Sequence, residues 1–292
     1  MNTNGKDALG TLVAGVERDW DFVPSIVPRW RKRQVAEKVL WNSRLAPRWQ
    51  ALKPVTPQAC WTVYFMFCPD GMFMPYHKFT LSRLRDAGHH IMVLCATKEA
   101  AGIPKEVAQY AHALYWKGLN GYDFSAYALA LREISRRSPH ANVFVLNDSV
   151  FGPFNDVSAA LANPPWALTG YTASSQIENH IQSYAFILQD VTPKRMRALA
   201  GIMFPWTSFN LAWDVICVQE TRFARVASKS MRVGAFWYAP HETVLDPTLV
   251  RPVELMDAGF PFLKRSLLTK HAKMQEPARI RELLFSLGHA TD

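Results

Sequence analysis

Asp148 stands at the end of an apolar run, Val143-Phe144-Val145-Leu146, within the tripeptide Asn147-Asp148-Ser149. A carboxylate at a strand's carboxyl end can hold a divalent cation, and Mg²⁺ or Mn²⁺ bridging phosphate oxygens is a common way to bind a nucleoside diphosphate. The same tripeptide suits an Asx-turn or a helix cap, because Asn, Asp and Ser hydrogen-bond nearby backbone. The residues alone leave both readings open. Several other chemistries lack their signatures: none of the nine histidines forms H-E-x-x-H, and there is no P-loop, G-x-G-x-x-G or G-x-S-x-G.

The elements that must position Asp148 read as alternating strands and helices. "WTVYFMF" (61–67), "IMVLCAT" (91–97), a brief strand over 113–116 and "VFVL" (143–146) are near-continuous apolar runs, the pattern of strands buried on both faces. Between them, Pro75 opens a helix that Gly88 closes. A short helix is expected from Pro104. Tyr127, Leu131 and Ile134 recur at helical spacing in a helix starting near Asp123. This order predicts an α/β fold, a Rossmann-type, mostly parallel sheet with helices on both faces, and ligands on such sheets bind beyond the strands' carboxyl ends. Asn147, Asp148 and Ser149 occupy that edge.

The 292 residues, 49% hydrophobic, are enough to bury a substantial core. The formal charge of +9 suggests an anionic partner, and its distribution narrows the choice. Seven bases and one acid, Glu37, lie between Arg29 and Arg48, interleaved with Trp30, Val35, Val39, Leu40 and Trp41. Such a helix fits either an anionic lipid surface, giving peripheral membrane contact through residues 28–50, or packing on the main domain through its tryptophans. No nucleic-acid module appears, and these bases lie outside the expected core. Residues 1–58 read as a basic helical extension, ending in the turn-rich Lys53-Pro54-Val55-Thr56-Pro57, and 59–292 as the main domain. Cys60, Cys68, Cys95 and Cys217 lack C-x-x-C spacing, and neither a signal peptide nor a run of ~18 apolar residues is present, so a cytoplasmic protein, at most at the inner face of the membrane, is expected.

Five segments, "NGYDFSAY" (120–127), "LNDSVFGPF" (146–154), "IENHIQSYAFIL" (177–188), "QETRFARVASKSMRVGAF" (219–236) and "GFPFLKRSLL" (259–268), together resemble the rhamnan synthesis protein F family of polysaccharide glycosyltransferases. The resemblance spans about residues 60–270. It implies a GT-A-like enzyme that moves a sugar, rhamnose or another deoxyhexose, from a nucleoside diphosphate donor to a lipid-linked or polysaccharide glycan, as in bacterial surface polysaccharide or lipopolysaccharide. The motif at 147–149 carries one carboxylate where that fold usually has Asp-x-Asp. Metal dependence on Mg²⁺ or Mn²⁺ is thereby in question, since Arg and Lys can neutralise a leaving diphosphate instead.

The resemblance also assigns roles. Asn120, Gly121, Tyr122 and Asp123 form a loop near the donor, where Asp123 either contacts donor hydroxyls or caps the following helix. Asp70 is expected beside the nucleotide base or simply in a turn next to Gly71. Glu220, opening a helix before a strand over 231–236, is the first candidate for the base that deprotonates the acceptor; a surface acid at a helix N-terminus is the alternative. Glu178 and His180 are second candidates on the acceptor side. His241 would join Asp148 at a metal. A non-catalytic binding or assembly subunit with the same fold is the competing reading, supported by the lone Asp148.

Overall fold

The computed structural model describes residues 16–240 and 246–289. Ten strands form the main sheet: β1 (Glu17–Asp21), β2 (Trp49–Lys53), β3 (Cys60–Phe67), β4 (Ile91–Ala96), β5 (Ala113–Lys117), β6 (Ala141–Asn147), β7 (Leu168–Ser174), β8 (His180–Ile181), β9 (Ala185–Val191) and β10 (Val233–Ala239). Their spatial order is β1-β10-β7-β9-β6-β3-β4-β5-β2, with β8 paired to β7. β3, β4, β5, β6, β7 and β10 run one way, and β1, β2, β8 and β9 the other. The fold is therefore the expected α/β type, a mostly parallel sheet flanked by helices.

Two apolar layers explain why the central strands read as continuous hydrophobic runs. Alternate side chains point to opposite faces of a strand. Trp61, Val63 and Phe65 of β3 pack in one layer with Phe124, Tyr127, Leu131 and Ile134 of α3 (Asp123–Arg137). Tyr64 and Met66 pack in the other with Leu81 and Leu84 of α2 (Pro75–Asp86). From Trp61 to Met66 neither face meets water, and the one polar side chain there, Thr62, is buried with its hydroxyl 2.6 Å from His89 Nδ1. The segment after Pro104 forms a 3₁₀ turn, Lys105–Gln109, in place of the expected α-helix.

The stretch up to 58, expected as a helical extension, supplies both outer strands of the sheet: β1 pairs with β10 and β2 with β5. Each is five residues long and mostly exposed, so neither shows the buried period that marks a strand in sequence. Between them lies the expected basic helix, α1 (Arg29–Asn42). It does not pack through its tryptophans. Arg31 is buried and donates from Nη2 to Cys217 O (2.8 Å) and Thr221 Oγ1 (2.7 Å), while Lys38 and Asn42 bind the buried Asp214 carboxylate. Trp30 and Trp41 face outward, because turning the cations inward onto acids and carbonyls turns the aromatic side of the helix to solvent.

Candidate functional site

Asp148 follows β6, and its own N–H donates to Phe65 O of β3 (3.1 Å). Its Oδ2 accepts the Phe67 N–H (3.0 Å), lies 3.3 Å from His77 Nε2 and 3.6 Å from Arg265 Nη1. The carboxylate thus ties the ends of two parallel strands together, and it does so on the wall of a cavity of about 480 Å³. Burial pulls the His77 pKa down, but the hydrogen bonds to Asp148 and to the Cys68 thiol outweigh it and the net shift is upward.

Asn147 supports the other half of the cavity. Its amide donates to Tyr127 OH (2.8 Å) and Asp123 Oδ2 (3.2 Å), and its Oδ1 accepts from the Ser149 N–H (3.0 Å) and hydroxyl (2.5 Å). Asp123 Oδ1 accepts the Phe124 N–H (2.9 Å); Tyr122, not Asp123, holds the N-cap position, so the carboxylate lies in the first turn of α3 and lines the cavity without capping the helix. Burial, then the negative charge of Glu220, push its pKa up to about 7, against the lowering effect of its hydrogen bonds.

The loop from 118 to 122 is shaped by a group that the sequence did not single out. Lys117, buried at the end of β5, donates to Gly118 O (3.0 Å), Asn120 O (2.9 Å) and Gly121 O (2.7 Å). Burial lowers its pKa to about 7, opposed by the Asp123 charge. Gly121 has φ +70°, and a Cβ there would meet Ser208 Cβ at 2.7 Å, so a side chain would strain the loop. Asn210 Oδ1 holds the Gly121 N–H (2.8 Å).

The structure brings Asn120, Gly121, Tyr122 and Asp123 together with Asn147, Asp148 and Ser149 around one cavity, joined by Phe65, Phe67, Leu119 and Asn210. Phe67, 47% exposed at a strand end, was the one sequence signal among the missed residues, an aromatic left open where ligands bind. Asp70 lies on the exposed turn beyond β3, outside this lining.

Glu220 ends a π-helical turn, Ile216–Glu220, that continues into α4 (Thr221–Ala227). The helical run begins at Ala212, so Glu220 sits at a π-to-α junction and not in the first turn, as the sequence suggested. Ser183 Oγ donates to its Oε2 (2.9 Å), and its charge reaches Asp123. Lys264 lies nearby with Nζ 3.8 Å from the Tyr184 ring centre; burial lowers its pKa, while the charges of Asp246, Glu220 and Asp123 act to raise it. Arg265 stacks over Tyr76 (3.6 Å) and donates to Asp148 O. A two-stranded ribbon, Val150–Phe151 with Leu263–Lys264, attaches both cations to the loop after Asp148.

Glu178 and His180 are differently placed. Glu178 is buried and bound by Arg225 Nε (2.7 Å), with Arg31 at 3.9 Å. His180 is buried on β8 with Nδ1 2.8 Å from Glu178 O. His241 lies outside the described residues. A divalent ion fits the described donors poorly, because Asp148 already shares its charge with Arg265 and His77, and no group of three or more His, Cys, Asp or Glu able to hold a metal occurs among the described residues.

No protein-family model matches the sequence, and no curated protein matches it either. Solved structures overlap it weakly. The inositol-1-phosphate CTP transferase from T. maritima aligns over 75% of this chain and 98% of its own, at 10% identity and TM-score 0.39. The 4-diphosphocytidyl-2C-methyl-D-erythritol synthase from Anaerococcus prevotii covers 69% and 96%, at 9% and 0.38. The bifunctional glycosyltransferase WbbM covers 77% of this chain and 53% of its own, at 9% and 0.33. Likeness at this level carries neither mechanism nor substrate. No helix among the described residues is long and apolar enough to cross a membrane.

Proposed function

We propose that this protein is a nucleotide-sugar-dependent glycosyltransferase. The observation that carries the reading is the cavity beyond the carboxyl ends of β3 and β6, about 480 Å³, lined by polar groups from two loops. That volume falls within the ~300–1,000 Å³ of small-molecule sites, at the edge where parallel sheets bind ligands. The exposed Phe67 offers an apolar surface to a nucleoside, and the Asp123 carboxylate and the side-chain amide of Asn120 offer acceptors and donors to ribose or sugar hydroxyls.

In the transfer, an acceptor hydroxyl attacks the anomeric carbon as that carbon's bond to the diphosphate oxygen breaks. Glu220 takes the hydroxyl proton, and Arg265 and Lys264 offset the charge gathering on the leaving diphosphate. The sequence resemblance adds the finer part: a deoxyhexose such as rhamnose, and a lipid-linked or polysaccharide acceptor of the bacterial surface. Glu178 is the weaker candidate for the base, since its charge is already matched by Arg225 and Arg31.

A screen of nucleoside diphosphate sugars for released UDP, GDP or dTDP tests the reading. Turnover with one donor is expected, and Glu220→Gln should lower it by about 10²–10⁴-fold while nucleoside diphosphate binding persists. Full turnover in that variant removes Glu220 from the role. A non-catalytic subunit is favoured by one specific observation, the commitment of Asp148 Oδ2 to three protein partners. Calorimetric titration with nucleoside diphosphates decides between them: the enzyme reading fails if none binds.

A further inference from the structure

The outward face of α1 is not covered by any of the described residues. Trp30 and Trp41, 64% and 71% exposed, are eleven positions apart, about three helical turns, and so lie on the same side, with Leu40 and Arg33 beside them. The tract continues onto a second segment. Asp214, held by Lys38 and Asn42 of α1, follows the exposed Trp213, and Leu45, 86% exposed, pairs through the ribbon Ser43–Leu45 with Thr207–Phe209, next to Trp206. Two stretches far apart in sequence, bonded to each other at Asp214 and through this ribbon, thus each expose large apolar side chains.

Single exposed apolar residues are ordinary, but a group this size marks an interaction surface. Its charge selects the partner. Arg31 and Lys38 turn inward onto Glu178 and Asp214, which leaves Arg29, Lys32, Arg33, Arg44 and Arg48 exposed around the tract with one acid, Glu37. Tryptophan favours the boundary between headgroups and acyl chains, and cations favour anionic headgroups. A second copy of the chain is a poor occupant, because two-fold pairing would press this positive face against itself.

We infer that α1 and the 206–213 segment form a docking surface for a bilayer containing anionic phospholipid. The binding is independent of sugar transfer. It would set the lipid on the outer side of α1, whose inner side grips Cys217 and Thr221 on either side of Glu220.

The test is co-sedimentation of the full chain with vesicles of phosphatidylcholine alone and with about 30 mol% phosphatidylglycerol. Binding to the anionic vesicles only, weakened by salt, is expected. The double substitution Trp30→Ser and Trp41→Ser should reduce the bound fraction about tenfold without lowering the melting temperature. Trp213→Ser, on the second segment, should weaken binding too, and it keeps the test decisive if the double variant folds poorly. The inference is overturned if wild type ignores anionic vesicles, or if it binds and these variants bind as well as wild type. It is equally overturned if light scattering shows a dimer that the tryptophan substitutions dissociate while vesicles leave the protein unbound.

Discussion

Asp123 and Glu178 are both carboxylates near the carboxyl side of the sheet, and the chain treats them in opposite ways. Glu178 is buried between two guanidinium groups, Arg225 and Arg31. Asp123 has neutral partners, the Phe124 N–H, the Tyr127 hydroxyl and the Asn147 amide, and it borders a cavity. A charge already matched by contacting guanidinium groups has little left to offer a substrate, whereas one hydrogen-bonded only to neutral groups beside a cavity, with Lys117 and Lys264 acting on it without an ion pair, can still exchange a proton or accept a ligand hydroxyl. Burial without a direct ion pair is therefore the better mark of the site.

The sharpest way to break this contrast is to remove the matched carboxylate. Glu178→Ala leaves Arg31 buried against its remaining partners, so stability should fall by about 3–5 kcal/mol, read by urea unfolding. Arg31→Met alone should also destabilise, and the two together should cost less than their sum, since the double variant leaves no unmatched charge on this pair. If Glu178→Ala unfolds like wild type but loses turnover, Glu178 belongs to the chemistry and the contrast is wrong.

A smaller effect is expected at the rim. Arg265→Met removes the guanidinium beside Asp148 while keeping an apolar side chain over Tyr76. Nucleoside diphosphates should then bind about tenfold more weakly by calorimetry, the loss of one charge-assisted contact. Nucleosides without phosphate should be unaffected. Equal weakening of both would mean that Arg265 only props the Asp148 loop.

The central strands were legible because burial on both faces leaves few polar positions, and Asp148 was legible as a strand-end carboxylate; the 120–123 loop was set beside it only by the sequence resemblance, since the strands that precede the two loops are not neighbours in the sheet. What stayed hidden depended on partners distant in sequence. Arg31 reads as a surface base until Cys217, Thr221 and Glu178 surround it. Lys117 reads as the polar end of a strand, and only three backbone carbonyls converging from one loop make its burial tolerable. Lys264 and Arg265 reach the site through a ribbon that joins residues more than a hundred positions apart. The edge strands escaped notice because five mostly exposed residues carry no period.

The subtlest test uses pH. Asp123 titrates at about 7 in the folded chain against an ordinary 3.8, so between those values the folded state keeps a proton that the unfolded state has released. The stability contributed by that group is complete below about pH 4 and is lost as pH rises toward 7. Lys117, at about 7 against an ordinary 10.5, acts in the other direction: the unfolded state holds the extra proton between those values, so stability rises with pH across that window. Together they predict a dip near pH 7. In Asp123→Asn the fall from pH 4 to 7 should disappear. The charge that raises the Lys117 pKa is also gone, so the Lys117 rise should begin at lower pH. Melting temperatures of both proteins from pH 4 to 9 measure this directly. Curves that stay parallel throughout would mean that Asp123 is ionised at neutral pH like any surface carboxylate, and its contrast with Glu178 would vanish.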